Sequence, residues 1–207
     1  MLADRISATA VLWIGIILLF CMPLRLAAEG DPERGRVLAD TCMGCHGIEG
    51  YSNVYPTYKV PKLGGQYGEY VAKALTGYRD GARQHGTMHG QASSMTDQEI
   101  QDIAAYVGSL GVLAPTDPTA GTSANTAPES AALCVACHGQ TGVSIAFAFP
   151  HLAGQHKDYL VETLKQYKSG VRTDVSMAAF LNTMTEEEME ELAAYYASQP
   201  GLMTLNR

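Results

Sequence analysis

Apolar positions recur at helical spacing along the chain, and the helices they define come in matching pairs. Val71, Ala74, Leu75 and Tyr78 share one face of a helix predicted from about Tyr67 to Tyr78, with Gly81 as its stop. Ile100, Ile103, Ala104, Val107 and Leu110 form the buried face of another, opened by the capping box Thr96-Asp97-Gln98-Glu99. Asp31-Pro32-Glu33 starts an earlier, shorter helix, with Asp at the N-cap and Pro in the first helical position. It is predicted to run through Val37 and Leu38 into Cys42. Residues 48–62 read as a loop holding Gly50, Pro56 and Pro61, with Tyr51, Tyr55 and Tyr58 as packing contacts. Residues 82–95 read as a second loop carrying His85, Met88 and His89. From 111 to 126 the chain is rich in Pro, Thr, Gly, Ser and Ala and has no apolar period, which marks a linker.

The second half repeats the first. Thr126-Ala127-Pro128-Glu129 is the counterpart start of the short helix. Pro150-His151-Leu152-Ala153-Gly154-Gln155 matches Pro61-Lys62-Leu63-Gly64-Gly65-Gln66, and Thr185-Glu186-Glu187-Glu188 matches the first capping box. From Leu63 onward the offset is a constant 89 residues, while the loop before it is three residues longer in the first half. The expected organisation is a leader at 1–28, an all-α domain at 29–113, a linker at 114–126 and an equivalent domain at 127–207. Domains this small are marginal as bare polypeptide.

What completes each core is written in Cys42-Met43-Gly44-Cys45-His46 and Cys134-Val135-Ala136-Cys137-His138. C-x-x-C-H is the attachment signature of c-type haem. Two thiols one helical turn apart can add to the two vinyl groups of one porphyrin, and the following His then lies beneath the iron. Gly47 and Gly139 follow, where the chain turns close to the macrocycle. A four-cysteine zinc site would need both pairs together, yet about ninety residues separate them, far beyond the usual ligand spacing. A redox dithiol would leave the His unexplained. Cys42, Cys45, Cys134 and Cys137 are therefore thioether candidates, and His46 and His138 proximal ligands. The fifth cysteine, Cys21, lies in the N-terminal apolar run, so no pair remains for a disulfide.

The repeat narrows the search for a second axial ligand. Met88 and Met177 are equivalent, and so are Met95 and Met184. The latter pair stands just before the capping Thr, where a hydrophobic staple is common. His85 and His89 have Asp174 and Ala178 as counterparts, and His151 and His156 have Lys62 and Tyr67, which demotes all four histidines. Pro61 and Pro150 are candidates for the backbone carbonyl that accepts the proximal ring N–H; a rigid loop corner is the competing role.

Residues Ile6 to Phe20 are almost wholly apolar, with Arg5 before them and Ala27-Ala28 after. This is the pattern of a secretory signal peptide cleaved near Ala28. The alternative is an uncleaved anchor through residues 6–24, just long enough to span a bilayer. Either reading puts the haem motifs outside the cytoplasm. The formal net charge of the 207-residue chain is −7, and removing the leader makes it more negative. Such a chain is not built to bind nucleic acid or an anionic membrane surface; a complementary redox protein is the expected partner.

Taken together, the paired C-x-x-C-H-G, the paired P-x-L-x-G-Q, the paired G-x-R before Met88 and Met177, and the paired final helix with Ala-Ala-Tyr resemble the dihaem cytochrome c4 family. The resemblance covers nearly all of residues 30–200. It implies two tandem class I cytochrome c domains, all-α, related by a pseudo-twofold axis. It also implies two covalent haem c groups, held by His46 with Met88 and by His138 with Met177, and maps the proline that orients each proximal His to Pro61 and Pro150. The function implied is that of a periplasmic electron carrier, not an enzyme, passing electrons from a quinol-cytochrome c reductase to a terminal oxidase. A cytochrome subunit of a dehydrogenase would share fold and ligands. A dihaem peroxidase would need one iron with an open distal face, whereas both loops here keep a Met.

Overall fold

A computed structural model describes residues 29–55, 57–111, 113 and 127–206. The leader with its apolar segment 6–24, and the linker at 114–126, lie outside the described residues. Among those described the chain is helical, with isolated β-bridges in place of a sheet.

Domain 1 starts with α1 (Pro32–Leu38), capped as expected: the Asp31 carboxylate accepts from the N–H groups of Glu33 and Arg34. A 3-10 turn (Ala39–Cys42) continues into α2 (Met43–His46). The long helices are α3 (Gly68–Asp80) and α5 (Asp97–Ser109), and the capping box Thr96/Glu99 closes in both directions. Val71, Leu75, Ile100, Ile103 and Val107 meet between them in one core. Gly35 lets α1 lie directly on α5, since a Cβ there would fall 1.9 Å from the Asp102 carbonyl oxygen. The buried Asp102 side chain fastens the same crossing, accepting from the Asp31 N–H at 2.9 Å and pairing with Arg34 at 3.3 Å.

Domain 2 repeats this with α7 (Lys157–Ser169) and α9 (Glu186–Ala197), the latter opened by the Thr185/Glu188 capping box. Gly81 and Gly170 end α3 and α7 at φ +84° and +79°, a region where a side chain would be strained.

Several expectations need correction. Residues 82–95 are not a plain loop, because α4 (Gly86–Ala92) runs through them, with α8 (Val175–Leu181) as its counterpart. Gly86 and Gly90 hide the helix from a propensity reading. It exists because the residue before it supplies a cap, the His85 ring to the Met88 N–H and the Asp174 carboxylate to the N–H groups of Ser176 and Met177. The helix expected at Pro128-Glu129 shrinks to a 3-10 turn (Glu129–Ala131) followed by α6 (Val135–His138). Pro128 stands at the cap with no side-chain acceptor, where domain 1 has Asp31. Of the three tyrosines expected to pack in the 48–62 loop, only Tyr58 is buried; Tyr51 is exposed and Tyr55 is 94% exposed. Backbone bonds from Val60 to Tyr51 and from Asn53 to Tyr58 fold that loop into a small hairpin with Val54 and Tyr55 at its tip.

The domains meet through their matching segments. Gln66 donates to the His151 carbonyl (3.1 Å) and accepts from the His151 N–H (3.0 Å). Gln155 does the same to Lys62, at 3.0 and 2.9 Å. The two pairs exchange under the 89-residue offset, the reciprocity a twofold interface requires. Arg83 and Arg172, also equivalent, pair as an antiparallel bridge. His151 is buried at this interface against the Tyr67 ring, its Nδ1 accepting from the Ser144 N–H at 3.0 Å. Burial pushes its pKa down to about 4.

Gln155→Ala strands the N–H and carbonyl of Lys62, and is expected to lower stability by about 2 kcal/mol in urea unfolding of the holoprotein. His151 predicts a pH effect. The unfolded imidazole takes up a proton near pH 6.5 and the folded one only near 4. The folded state therefore loses stability as pH falls from about 6.5 towards 4. His151→Asn retains an acceptor for Ser144 and should show a shallower decline over that window in the pH dependence of the unfolding midpoint.

Candidate haem centres

Each candidate centre begins with the turn that carries C-x-x-C-H. In domain 1 the 3-10 turn hands over to α2 at Met43, so Cys42 and Cys45 lie in successive turns and His46 ends the helix. In domain 2, α6 carries Cys137 and His138 and takes Cys134 as its N-cap residue. None of the four cysteines is in a disulfide. Burial raises the pKa of the Cys42 and Cys134 thiols. Gly139 follows at φ +77°; its counterpart Gly47 has ordinary dihedrals, but a Cβ there would lie 2.7 Å from the Met43 carbonyl oxygen.

Both proximal candidates are tethered in the same way. His46 Nδ1 lies 2.8 Å from the Pro61 carbonyl oxygen, and His138 Nδ1 lies 2.9 Å from that of Pro150. A carbonyl only accepts, so each Nδ1 carries the proton and each Nε2 is left with a lone pair, the tautomer that ligates a metal. Burial lowers the pKa of both rings, with the proline carbonyl pulling the other way. Both imidazoles are thereby kept neutral and available as ligands.

The distal candidates lie on α4 and α8. Cys134, Cys137, His138, Pro150 and Met177 line one cavity, which Tyr70 and Arg83 of domain 1 also line. Met184 lines it too, so the cavity by itself holds two thioethers. In domain 1, Cys42, Met88 and Met95 pack against one core, while Cys45 and His85 line an opening beneath the 51–58 hairpin. Met95 and Met184 are further engaged through their carbonyls, which accept from Arg79 (3.2 Å) and Lys168 (2.6 Å), themselves equivalent residues. His85 serves as the cap of α4, and the His89 Nδ1 lies 2.9 Å from the Tyr78 carbonyl.

Sequence reasoning did not identify the charged part of the site. Arg83 and Arg172 are 7% and 2% exposed. Arg83 donates to the Tyr70 hydroxyl, and Arg172 to Gln166 and to the Tyr159 and Tyr78 hydroxyls. Among the described residues neither forms an ion pair with a carboxylate. Buried cations without a counter-charge are costly. Arg83 lines the cavity that holds Cys134 and His138. Paired thiols, tethered imidazoles and unpaired guanidiniums together fit haem c, whose own carboxylates would supply the missing negative charge. The only signal for these arginines in the sequence was the repeated G-x-R.

Residues 32–111 match the family model described as Cytochrome c, and residues 126–195 match that described as Cytochrome C oxidase, cbb3-type, subunit III. A cytochrome c4 of Pseudomonas aeruginosa is 36% identical over 155 residues, spanning 71% of this chain and 76% of that one. A thiosulfate dehydrogenase electron acceptor of Thiomonas intermedia is 29% identical over 186 residues, 84% of this chain and 82% of the relative. Among solved structures, reduced cytochrome c4 from Pseudomonas stutzeri superposes with a TM-score of 0.64 at 28% identity, over 84% of this chain and all of that one. The thiosulfate dehydrogenase TsdBA of Marichromatium purpuratum gives 0.65 at 31% identity, over 82% of this chain but 40% of that larger one. Two cytochrome c domains with two covalently bound haem c groups follow, and the chain belongs to the cytochrome c4 family.

Proposed function

We propose that this protein is a periplasmic dihaem electron carrier, with each iron held by histidine on one side and methionine on the other. His46 and Met88 would serve the first haem, His138 and Met177 the second, with thioether links to Cys42, Cys45, Cys134 and Cys137. The haem supplies a one-electron ferric/ferrous couple when bound. The chain's part is to hold the ligands still, so that neither side chain has to move when the charge changes.

The observation that carries this reading is the doubled Nδ1–proline tether, which leaves the Nε2 lone pair of each imidazole free to ligate. Met88 and Met177 are preferred as the second ligands because their backbone N–H groups are caught by caps at His85 and Asp174, which fixes the start of each short helix. Met95 and Met184 sit at the corner between two helices, and Met184 packs with Leu181 and Met189 as a staple would. With both axial positions filled there is no open iron for substrate chemistry, which argues for a carrier and against a peroxidase.

The partners follow from the family resemblance: a quinol-cytochrome c reductase as donor and a terminal oxidase as acceptor. A second reading has its own support. Relatives named for thiosulfate dehydrogenase or its electron acceptor align over more than four-fifths of this chain. As a dehydrogenase partner it would receive electrons from that enzyme and pass them on. Purified dehydrogenase with thiosulfate, and quinol-oxidising complex with quinol, tested separately for reduction of this protein, would separate the two. N-terminal sequencing of the mature protein decides whether residues 1–28 are removed, leaving it soluble, or kept as a tether to the inner membrane.

The oxidised protein should show a weak sulfur-to-iron charge-transfer band at the red end of the visible spectrum. Met88→Ala and Met177→Ala should each remove one iron's share of it, and the double variant all of it. Met95→Ala and Met184→Ala should leave it in place. Survival of the band in the Met88→Ala/Met177→Ala protein would overturn the ligand assignment.

A further inference from the structure

The segment after α9 leaves domain 2 and finishes inside domain 1. Leu202 is still in its own domain, its N–H bonded to the Ala153 carbonyl at 2.8 Å. One residue on, Met203 pairs with Gly64 as an antiparallel bridge, with N···O distances of 2.9 and 3.0 Å. The Leu205 N–H then donates to the backbone carbonyl of His46 at 3.1 Å. The Leu205 side chain is 1% exposed and belongs to the domain 1 core, with Val71, Leu75 and Ile100. Between them, the Thr204 hydroxyl donates to the Glu49 carboxylate.

These contacts fall on two stretches of backbone that matter to one imidazole. One is His46 itself. The other is 61–64, whose first residue supplies the carbonyl accepting from His46 Nδ1. A segment that merely covered domain 1 would add burial and orient nothing. This one bonds the backbone on both sides of the Nδ1–carbonyl link, at His46 itself and at Gly64, three residues after Pro61.

We infer that residues 202–205 form a strap from domain 2 that positions the proximal imidazole of domain 1, with Leu205 as its anchor. The inference rests on reading His46 as an axial ligand. Leu205 is a positioning residue acting through the backbone. Slackening the strap weakens the hydrogen bond from Nδ1, makes the imidazole a poorer donor and destabilises the ferric state. Domain 1 should then be easier to reduce. Domain 2 keeps its own tether, His138 to Pro150, and serves as a reference within the same molecule.

The test uses the full dihaem protein. Leu205→Ala removes the anchor. Met203→Pro removes one strap hydrogen bond at a residue 51% exposed, and so spares the core. Each iron is followed through a redox titration by the paramagnetically shifted methyl signal of its own axial Met in proton NMR. In Leu205→Ala the reduced-to-oxidised ratio of domain 1 at fixed potential should rise about 10-fold, with a smaller rise in Met203→Pro and recovery in Leu205→Ile. The domain 2 ratio should stay unchanged throughout. Equal shifts at both haems, or no shift of domain 1 in Met203→Pro, would overturn the strap. A wild-type protein lacking a shifted Met signal in domain 1 would instead overturn the ligand assignment, and the strap with it.

Discussion

The hydrogen bond from a proximal imidazole to a proline carbonyl is the constraint on which most of this molecule turns. It fixes the tautomer and holds each ring, and in doing so leaves Nε2 as the nitrogen that would face a metal. The carbonyls belong to Pro61 and Pro150, each the first residue of a six-residue stretch that ends in Gln66 or Gln155. Those glutamines clasp the backbone of the residue after the opposite proline, at His151 and Lys62. One stretch thus orients a candidate ligand in its own domain and docks onto its counterpart in the other. The residue after each of these prolines is held by the partner domain, so domain packing and the orientation of the two imidazoles share the same few bonds.

The two halves keep this arrangement while differing around it. α4 and α8 are both capped by the residue before them, yet the cap is an imidazole in one and a carboxylate in the other. Asp174 also reaches back across the interface to Lys73 at 3.2 Å, a contact made by the charged cap. The hairpin inserted before Pro61 exposes Val54 and Tyr55 on domain 1 alone, while in domain 2 the corresponding loop places Phe147 against Tyr67 of domain 1. The Nδ1–proline tether is repeated in both halves, and the surfaces around it are not. Two chemically similar haems would consequently sit in different electrostatic settings.

The buried arginines belong to the same picture. Arg83 and Arg172 lie side by side at the pseudo-twofold axis, bonded to tyrosine hydroxyls rather than carboxylates. Without a bound anion, two cations so placed would push the domains apart. The carboxylates of the haems would be natural counter-charges, so haem binding would favour domain packing here. This is in keeping with domains of this size needing more than their own side chains to fold.

Much of this was legible in the residues alone. C-x-x-C-H names its cofactor because the chemistry needs two thiols and an imidazole at one spacing, and the 89-residue repeat narrows the second-ligand candidates to two methionine pairs, Met88/Met177 and Met95/Met184, by asking which candidates occur twice. Capping boxes and helix faces are local patterns, and they appeared where expected at Thr96 and Thr185. What escaped depends on contacts between residues far apart in the chain. α4 and α8 look like loops until His85 and Asp174 are seen to cap them. Nothing in the spacing marks Asp102 as buried, because α1 covers it only in the folded domain, through Gly35. No periodicity tells that Leu205 crosses into the other domain, or that Gln66 and Gln155 exchange partners. Spacing along the chain determines covalent chemistry and local helices; which backbone atoms meet across a fold is decided only when the two domains close on each other.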